Sequence, residues 1–224
     1  MMSMASRDDL ERWFSPQRIS TYAHHRVPEA LYLWNTRLTK TFLEDIQHIE
    51  VLLRNCVDAA VSPRYGSQWY DSPNIPLSGF ARHSVNKAKH RASRHRQSTP
   101  LPGQVIAELS FDFWTYLFID RYRSTLWPLI QNRLHTTRLA ATGGGALRIS
   151  PSLEEFRSEV DMVYRLRNRC AHHEPIVKLQ QAKEDAYLDR CETSINNVAR
   201  WIDPAASQWI RQHSCVPDLR ITRP

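Results

Sequence analysis

The residues best suited to chemistry in this chain lie in the segment 165–175, which reads RLRNRCAHHEP. The segment contains three arginines, two histidines and one carboxylate. An arginine binds phosphate through several coplanar N–H donors, and a histidine exchanges a proton near neutral pH. Together these functions are the minimum for cutting RNA by attack of a 2′-hydroxyl without a metal ion. The segment is therefore a candidate active site, and the alternative is a basic helix end neutralised by Glu50 or Glu174.

Arg167 and His172 are the pair that this chemistry would use. Side chains five positions apart in a regular helix diverge by about 140°, so the pair converges only where the helix ends. Pro175 disfavours helical geometry just before it, which predicts that the helix ends near His172 or His173. Arg167 follows Val163 by one turn, so its guanidinium is directed toward the core side and requires an anionic partner.

Metal and cofactor chemistry is not predicted for this segment. It has few oxygen ligands of the kind that Mg²⁺ needs, and His172 and His173 project apart, which disfavours a transition-metal site with Glu174. Each chain then supplies one clear acid–base histidine, whereas in-line cleavage works best with separate groups on the two sides of the phosphorus. Two copies paired about a two-fold axis would supply both groups, so a homodimer is expected.

A long helix is predicted from Glu29 to Ser62-Pro63. Its apolar residues recur every three or four positions, with no glycine or proline between them. These residues are Trp34, Leu38, Phe42, Ile46, Ile49, Leu53, Val57 and Ala60. Glu50 and Arg54 lie beside this stripe, one turn apart. They form either an ion pair on the helix flank or a link to the charged segment 165–174.

Two further helices are predicted in the C-terminal third. The first begins with a capping box of Ser152 and Glu155, and the second runs from Leu179 to Ile202. The inward residues are Phe156, Val160, Val163, Leu166 and Cys170 in the first helix and Ala186, Leu188, Ile195, Val198 and Trp201 in the second. Asp203-Pro204 is expected to end the second helix before a short polar tail, and residues 1–15 are expected to be a loose lead-in. These patterns predict an all-α chain folded as an antiparallel bundle.

Residues 79–97 form the most basic run of the chain and contain no carboxylate. The candidates for RNA contact in this run are Arg82, Lys87, Lys89, Arg91, Arg94 and Arg96. The run is either a solvated helix face or a phosphate-contacting surface, because uncompensated like charge costs stability unless a polyanion neutralises it. The aromatic segment 108–118 is expected to be buried or to lie at a subunit interface. The segment 142–145 lacks the Lys-Ser/Thr pair of a phosphate-binding loop and is predicted to be a linker.

Composition agrees with a packed globule, since the chain has 224 residues of which 42% are hydrophobic. A net charge of +7 favours an acidic partner such as RNA. The four cysteines include no Cys-x-x-Cys pair, which argues against a zinc knuckle. Neither a secretory leader nor an apolar run long enough to cross a membrane is seen, so a cytoplasmic protein with reduced thiols and no membrane partner is expected.

The segment 167–176 resembles the signature of the Abi-like (abortive infection, AbiD/AbiF-type) family of the HEPN superfamily. Other segments agree in order and spacing over about residues 18–203, the expected core of a single domain that spans 1–224. These segments are Leu31–Asn35, Glu50–Asn55, Tyr65–Trp69 and Glu108–Trp114. Asp112 departs from the family, which usually has glycine there.

The resemblance implies a HEPN-type antiparallel helical bundle with additional helices, paired so that two Arg-x4-6-His motifs face each other. It implies metal-independent RNA cleavage to a 2′,3′-cyclic phosphate and a 5′-hydroxyl, in phage defence or as a toxin of abortive infection. Control by an antitoxin protein or a noncoding RNA is implied as well. The alternatives are a non-catalytic HEPN module that binds a regulatory RNA, and a protein-interaction bundle.

Site roles are carried over from the same resemblance by position. Arg167 would hold the scissile phosphate, His172 would be the general acid or base, and Asn168 would orient the site. The supporting positions would be Arg169, His173, Glu174, Glu50 and Arg54.

Overall fold

The computed structural model describes residues 6–94, 99–135, 137–140 and 146–224, with side chains in all of these except the two short strands. The α-helices of this part of the chain are α1 (Arg7–Phe14), α2 (Pro16–Ser20), α3 (Pro28–Tyr65), α4 (Gly79–Ser93), α5 (Pro102–Ala107), α6 (Phe111–Tyr116), α7 (Trp127–Gln131), α8 (Leu153–Ala171), α9 (Gln181–Ile202), α10 (Pro204–His213) and α11 (Val216–Arg220). Two 3-10 turns, at Trp69–Asp71 and Asp120–Tyr122, and a hairpin of strands β1 (Thr137–Ala140) and β2 (Ala146–Ile149) complete the described elements. The fold is all-α, as predicted, and the hairpin is an addition that the sequence patterns did not indicate. The predicted linker 142–145 and the predicted contact residue Arg96 lie outside the described residues.

Helix α3 is the central element, and its predicted apolar stripe is buried along its whole length. The helix continues past the predicted stop at Pro63 and ends at Tyr65. A proline so close to the end of a helix removes a single N–H donor, so one further half-turn is tolerated. The chain then turns at Gly66, whose φ of 85° is accessible to glycine, while its N–H donates to the Ser62 carbonyl at 2.8 Å.

Helix α8 begins and ends as predicted. Ser152 and Glu155 form the capping box, and the inward stripe from Phe156 to Cys170 is buried. Helix α8 runs antiparallel to α3, because Arg167 lies beside Glu50 and Ile176, further along the chain, bonds to Asn35. The C-terminal end of α8 therefore lies against the middle of α3, and the chain that follows it reaches the N-terminal half of α3.

Helix α9 returns antiparallel to α8, with the rings of Phe156 and Trp201 in contact at 5.8 Å between centroids. It starts at Gln181 rather than Leu179, and two details of its predicted packing face are wrong. Ala186 is exposed, and the fully buried residue in that turn is Glu184. The amphipathic period is kept, but the first buried position carries a charge that a hydrophobicity pattern counts as solvent-facing.

Helices form from Arg7 and from Pro204, where the sequence predicted a loose lead-in and a short polar tail. Ser6 and Asp9 form a capping box for α1, so the lead-in is helical from Arg7. Asp203 caps α10 by accepting hydrogen bonds from two backbone N–H groups, and Pro204 occupies the first helical position, where it needs no donor. Ile210 and Val216 are buried in the main core, so the packed core extends beyond residue 203.

The connection between α3 and α4 is anchored by aromatic side chains. Trp69 and Tyr70 are buried, and the Trp69 indole N–H donates to Asp58 Oδ1 at 2.9 Å. The aromatic and aliphatic side chains of segment 108–118 are buried except Tyr116, which stacks on the exposed ring of Phe80. In the part of the chain that the structure describes, no helix is both long and apolar enough to cross a membrane.

Asp45 gives the fold a pH dependence that can be measured. Burial raises the pKa of its carboxyl from 3.8 to about 6, although the Ser214 hydroxyl donates to it at 2.7 Å. The folded state thus binds the proton more tightly than the unfolded chain, so stability falls as the pH rises from about 4 to 6. We expect Asp45→Asn to remove this slope and to raise the free energy of unfolding at pH 7.5 by about 3 kcal/mol.

Urea unfolding of both proteins at pH 4.5 and pH 7.5 measures this effect. The asparagine oxygen keeps the bond from Ser214, so the two proteins are expected to differ little at the lower pH. The prediction is contradicted if the wild type becomes more stable than the variant between pH 4.5 and pH 7.5. That result would mean that ionising the Asp45 carboxyl does not destabilise the fold.

Candidate active site

Arg167 lies in the last turns of α8 and is partly exposed. Its neighbour across the helix pair is Glu50 on α3. Burial raises the pKa of the Glu50 carboxyl, the guanidinium groups of Arg167 and Arg54 oppose that rise, and the Asp112 carboxylate adds to it. Glu50 is therefore the anionic partner that a half-buried arginine at position 167 requires.

The guanidinium of Arg167 keeps most of its donors available. Among the described residues its hydrogen bond is a long one, from Nη1 to Asn168 Oδ1 at 3.4 Å, and no carboxylate lies within 4 Å of it. Glu50 thus compensates the charge of Arg167 without occupying its N–H groups. An anion that approaches from solvent would find those groups in place.

Arg54 and Asp112 complete the charged group around Glu50. Arg54 Nη1 donates to the Ala107 carbonyl at 3.5 Å, which ties the flank of α3 to the end of α5. The Asp112 carboxylate, in the first turn of α6, accepts from the Phe113 N–H at 2.9 Å and from the Ser110 hydroxyl. The residue that departs from the family pattern therefore places a second carboxylate near Glu50.

Arg169, unlike Arg167, contacts the turn that follows α8. Its Nη2 donates to the Pro175 carbonyl, its Nε lies 3.9 Å from Glu174 Oε2, and its guanidinium stacks over Tyr187 at 5.8 Å. The Glu174 N–H in turn donates to the Arg169 carbonyl at 2.8 Å. These contacts hold the turn after α8 in shape, so Arg169 and Glu174 support the site through the backbone.

The two histidines diverge at the end of the helix. His172 caps α8, its N–H donating to the Asn168 carbonyl at 2.9 Å, and it is exposed. His173, which is also exposed, has a φ of 57°, in the left-handed region, and it lines a separate cavity. The helix end thus leaves His172 exposed to solvent, one turn after Asn168.

Two buried residues that the sequence analysis left without a role hold the chain after the motif. Asn35 Oδ1 accepts from the N–H groups of Ile176 and Val177 at 3.0 and 3.3 Å, and Glu184 Oε2 accepts from Lys178 N–H at 2.9 Å. The available signal for Asn35 was its amide beside Trp34 on the apolar stripe of α3. For Glu184 there was no such signal, because the hydrophobic pattern of α9 treats a charged residue as solvent-facing.

The predicted basic run lies on helix α4 and at its C-terminal end. Some of its described cations bind other groups of the protein, and others do not. Lys89 pairs with Asp71 at 2.5 Å, Arg91 pairs with Glu108 at 3.0 Å, and Arg82 Nε donates to the Leu77 carbonyl at 3.1 Å. Lys87 and Arg94 are exposed, with no ion pair among the described residues. The run lacks carboxylates of its own, but two members are compensated by other segments.

The basic helix α4 is connected to the motif through the α5–α6 segment. Arg91 binds Glu108, whose neighbour Ala107 accepts from Arg54, and Arg54 lies one turn from Glu50. The C-terminal part of α4 is therefore linked, through the α5–α6 segment, to the flank of α3 that carries Glu50.

No group of three or more His, Cys, Asp or Glu side chains that could hold a metal ion occurs among the described residues. The absence of a resident metal stays a prediction from the composition of the motif.

The chain was also compared with known proteins. A family model described as "Abi-like protein" matches residues 26–178. No curated protein and no solved structure matches the chain. The family match begins just before α3, ends after the turn that follows α8, and so contains Glu50 and the whole segment 165–175. Because it spans more than half of the sequence, the protein belongs to the Abi-like protein family.

Proposed function

We propose that the protein is a metal-independent endoribonuclease that acts in phage defence, in abortive infection or as a toxin. The observation that carries the proposal is the contrast between the two arginines of the motif. Arg169 donates a hydrogen bond to the turn after α8. The charge of Arg167 is compensated by Glu50, and most of its N–H donors stay available to an anion. The exposed His172 at the end of the same helix is the proposed proton-transfer group.

The proposed reaction needs only the groups of the chain and the RNA. The 2′-oxygen attacks phosphorus, its proton passes to a base, and a bond from the 2′-oxygen to phosphorus forms. The bond to the 5′-oxygen breaks, and that oxygen receives a proton from an acid. The products are a 2′,3′-cyclic phosphate and a 5′-hydroxyl. Arg167 stabilises the charge that builds on the non-bridging oxygens, and Asn168 and Glu50 keep it in place.

A second copy of the chain completes the site in this proposal. A single histidine serves as base or acid but not as both in a single turnover, and His173 lines a separate cavity. Two motifs facing each other across a two-fold axis supply a pair of histidines and a pair of arginines. This arrangement is the HEPN-type homodimer that the sequence resemblance implies.

RNA is the proposed substrate, and the proposed site of action is the cytoplasm. An antitoxin protein or a noncoding RNA is the proposed means of control, because an unrestrained ribonuclease would stop the growth of its own cell. The exposed cations of α4 also support the second candidate, a non-catalytic module that binds a regulatory RNA. Incubation of the protein with RNA in EDTA separates the two, since only the enzyme produces fragments ending in a cyclic phosphate.

The division within α4 gives a prediction about RNA binding. We expect Lys87→Ala together with Arg94→Ala to weaken binding and to reduce the slope of log K against log salt by about 1.4, since each lost phosphate contact contributes about 0.7 on a single strand. We expect Lys89→Ala to change the slope less, because Lys89 is already neutralised by Asp71.

Fluorescence anisotropy at several salt concentrations measures the slopes of the wild type, the double variant, Lys87→Ala and Lys89→Ala. The Lys89 variant is the matched control, as it removes the same side chain from the same helix. Equal effects from Lys87 and Lys89 would contradict a binding surface defined by the unpaired cations.

A further inference from the structure

A cavity of about 360 Å³ opens directly behind the motif, between α3 and the N-terminal helices. Its walls come from α3, from α1 and α2, and from the residue after His172. The lining residues that matter here are Phe14, Arg18, Tyr32, Thr36, Thr39 and His173. The volume falls in the range of protein cavities that take a small ligand or one unit of a polymer.

The chemistry of the cavity suits a flat aromatic group with polar edges. Phe14 is 42% exposed and stacks on Tyr32, with ring centroids 5.3 Å apart and an interplanar angle of 27°. The ring of Tyr22 packs edge-on against Tyr32, so Tyr32 is held by aromatic contacts on two sides. Hydroxyl groups of Thr36 and Thr39 and the ring of His173 supply polar atoms around it. A stacking face with a few polar groups is how proteins hold an unpaired nucleic-acid base.

The cavity is joined to the motif by covalent and hydrogen bonds. His173, which lines it, directly follows His172, and the His173 carbonyl accepts from Arg18 Nη1 at 2.8 Å. Thr39 and Glu50 are eleven residues apart on α3, which places them on nearly the same face and about 16 Å apart along the axis. The cavity and the charged group around Arg167 therefore follow one another along a single surface of α3, with the end of α8 between them.

The backbone at His173 supports a function for this arrangement. A φ of 57° is uncommon for a residue other than glycine and costs free energy that the surrounding contacts must supply. This conformation turns the chain after α8 so that His173 comes to line the aromatic cavity. A motif that served only to end the helix would need no side chain at this position, and glycine would adopt the same φ without strain.

We propose that this cavity binds one unpaired RNA base adjacent to the scissile phosphate, stacked on Phe14, with His173 and Thr39 at its polar edge. The inference rests on the proposed ribonuclease function and adds to it a subsite for base recognition. It makes the protein an enzyme for single-stranded RNA, because a paired base cannot enter the cavity.

The test uses the full chain and a short RNA whose cut position has been mapped with the wild-type protein. A 2′-deoxy substitution at the attacking nucleotide blocks cleavage, and an abasic ribose is then placed at each position in turn. We expect the abasic substitution beside the cut to weaken wild-type binding by about 5- to 150-fold, the range for loss of one stacked base. We expect Phe14→Ala to cause a loss of the same size with intact RNA and no further loss with that abasic RNA.

Phe80→Ala is the matched control, because Phe80 is exposed to the same extent and stacks on Tyr116 at the same interplanar angle of 27°. Its effect should be independent of the abasic position beside the cut. Thr36→Trp is a second test that leaves Phe14 in place: it fills the cavity from an exposed helical position and should reproduce the loss. Thermal unfolding of each variant checks that the fold is retained.

The outcomes separate this inference from the function on which it rests. Losses from Phe14→Ala and the abasic RNA that multiply, or a Phe14→Ala variant that binds as well as the wild type, overturn the base subsite while wild-type cleavage leaves the ribonuclease proposal standing. Absence of RNA binding and cleavage by the wild-type protein overturns both.

Discussion

Replacing His172 with alanine is expected to lower the rate of RNA cleavage by about 10²- to 10⁴-fold, the usual contribution of a positioned acid–base group. Arg167→Ala is expected to lower it by about 10²- to 10³-fold, because the charge on the phosphoryl oxygens loses its donors. Neither change should unfold the protein, since His172 is exposed at the helix end and Arg167 makes one long hydrogen bond within the described structure. The measurement is the rate at which a labelled RNA gains a 2′,3′-cyclic phosphate end, with EDTA present.

Matched variants distinguish chemistry from a general loss of charge. Arg165→Ala removes an exposed arginine from the same helix, and His24→Ala removes an exposed histidine far along the chain, so both should cleave at nearly the wild-type rate. Arg167→Lys keeps the charge but lacks the planar set of donors, and it should fall between the wild type and Arg167→Ala. Cleavage that survives both Arg167→Ala and His172→Ala would contradict the assignment of the site.

Glu184→Ala is expected to be the most destabilising single change among the polar residues of the bundle. Glu184 and Arg223 form a buried ion pair, with Nε and Oε1 at 2.5 Å and side-chain exposures of 1% and 14%. Removing one partner leaves the other charge buried without compensation, which costs about 3–5 kcal/mol. The same change takes the acceptor from the Lys178 N–H, so the chain after the motif should loosen as well. Urea unfolding measures the first effect, and hydrogen exchange at residues 176–178 measures the second.

Two comparisons make this result specific. Glu174→Ala removes an exposed carboxylate whose distance to Arg169 is 3.9 Å, and it should change the free energy of unfolding far less. A double variant, Glu184→Leu with Arg223→Met, should recover part of the stability because no charge is left buried. If Glu184→Ala and Glu174→Ala destabilised the protein equally, water would have to reach the Glu184 carboxylate in solution.

The local pattern of the sequence determined the main helices and the position of the motif on them. The apolar stripe of α3, the capping box at Ser152 and the stop imposed by Pro175 each depend on residues within a few positions, so each can be predicted without the fold. The proposed site residues follow from the same local information, because a helix that ends at Ala171 leaves His172 beside Asn168.

Tertiary structure decided which groups meet. Glu50 faces Arg167 because two helices far apart in sequence pack antiparallel, and the choice between a flank ion pair and a long-range partner could not be made from spacing alone. The burial of Glu184 depends on Arg223, 39 residues later, so a hydrophobicity pattern treats the carboxylate as exposed. The helices α10 and α11 were missed because Pro204 begins a helix only where a cap and a docking surface are present.

The segment 165–175 shows both kinds of information. Its composition and its terminating proline are local, and the hypothesis of a phosphate-binding and proton-transfer motif rests on them. The assignment of Arg169 to the turn, of Arg167 to Glu50 and of His173 to an aromatic cavity came from the fold, because side chains on one short stretch acquire different neighbours only when distant helices pack against it.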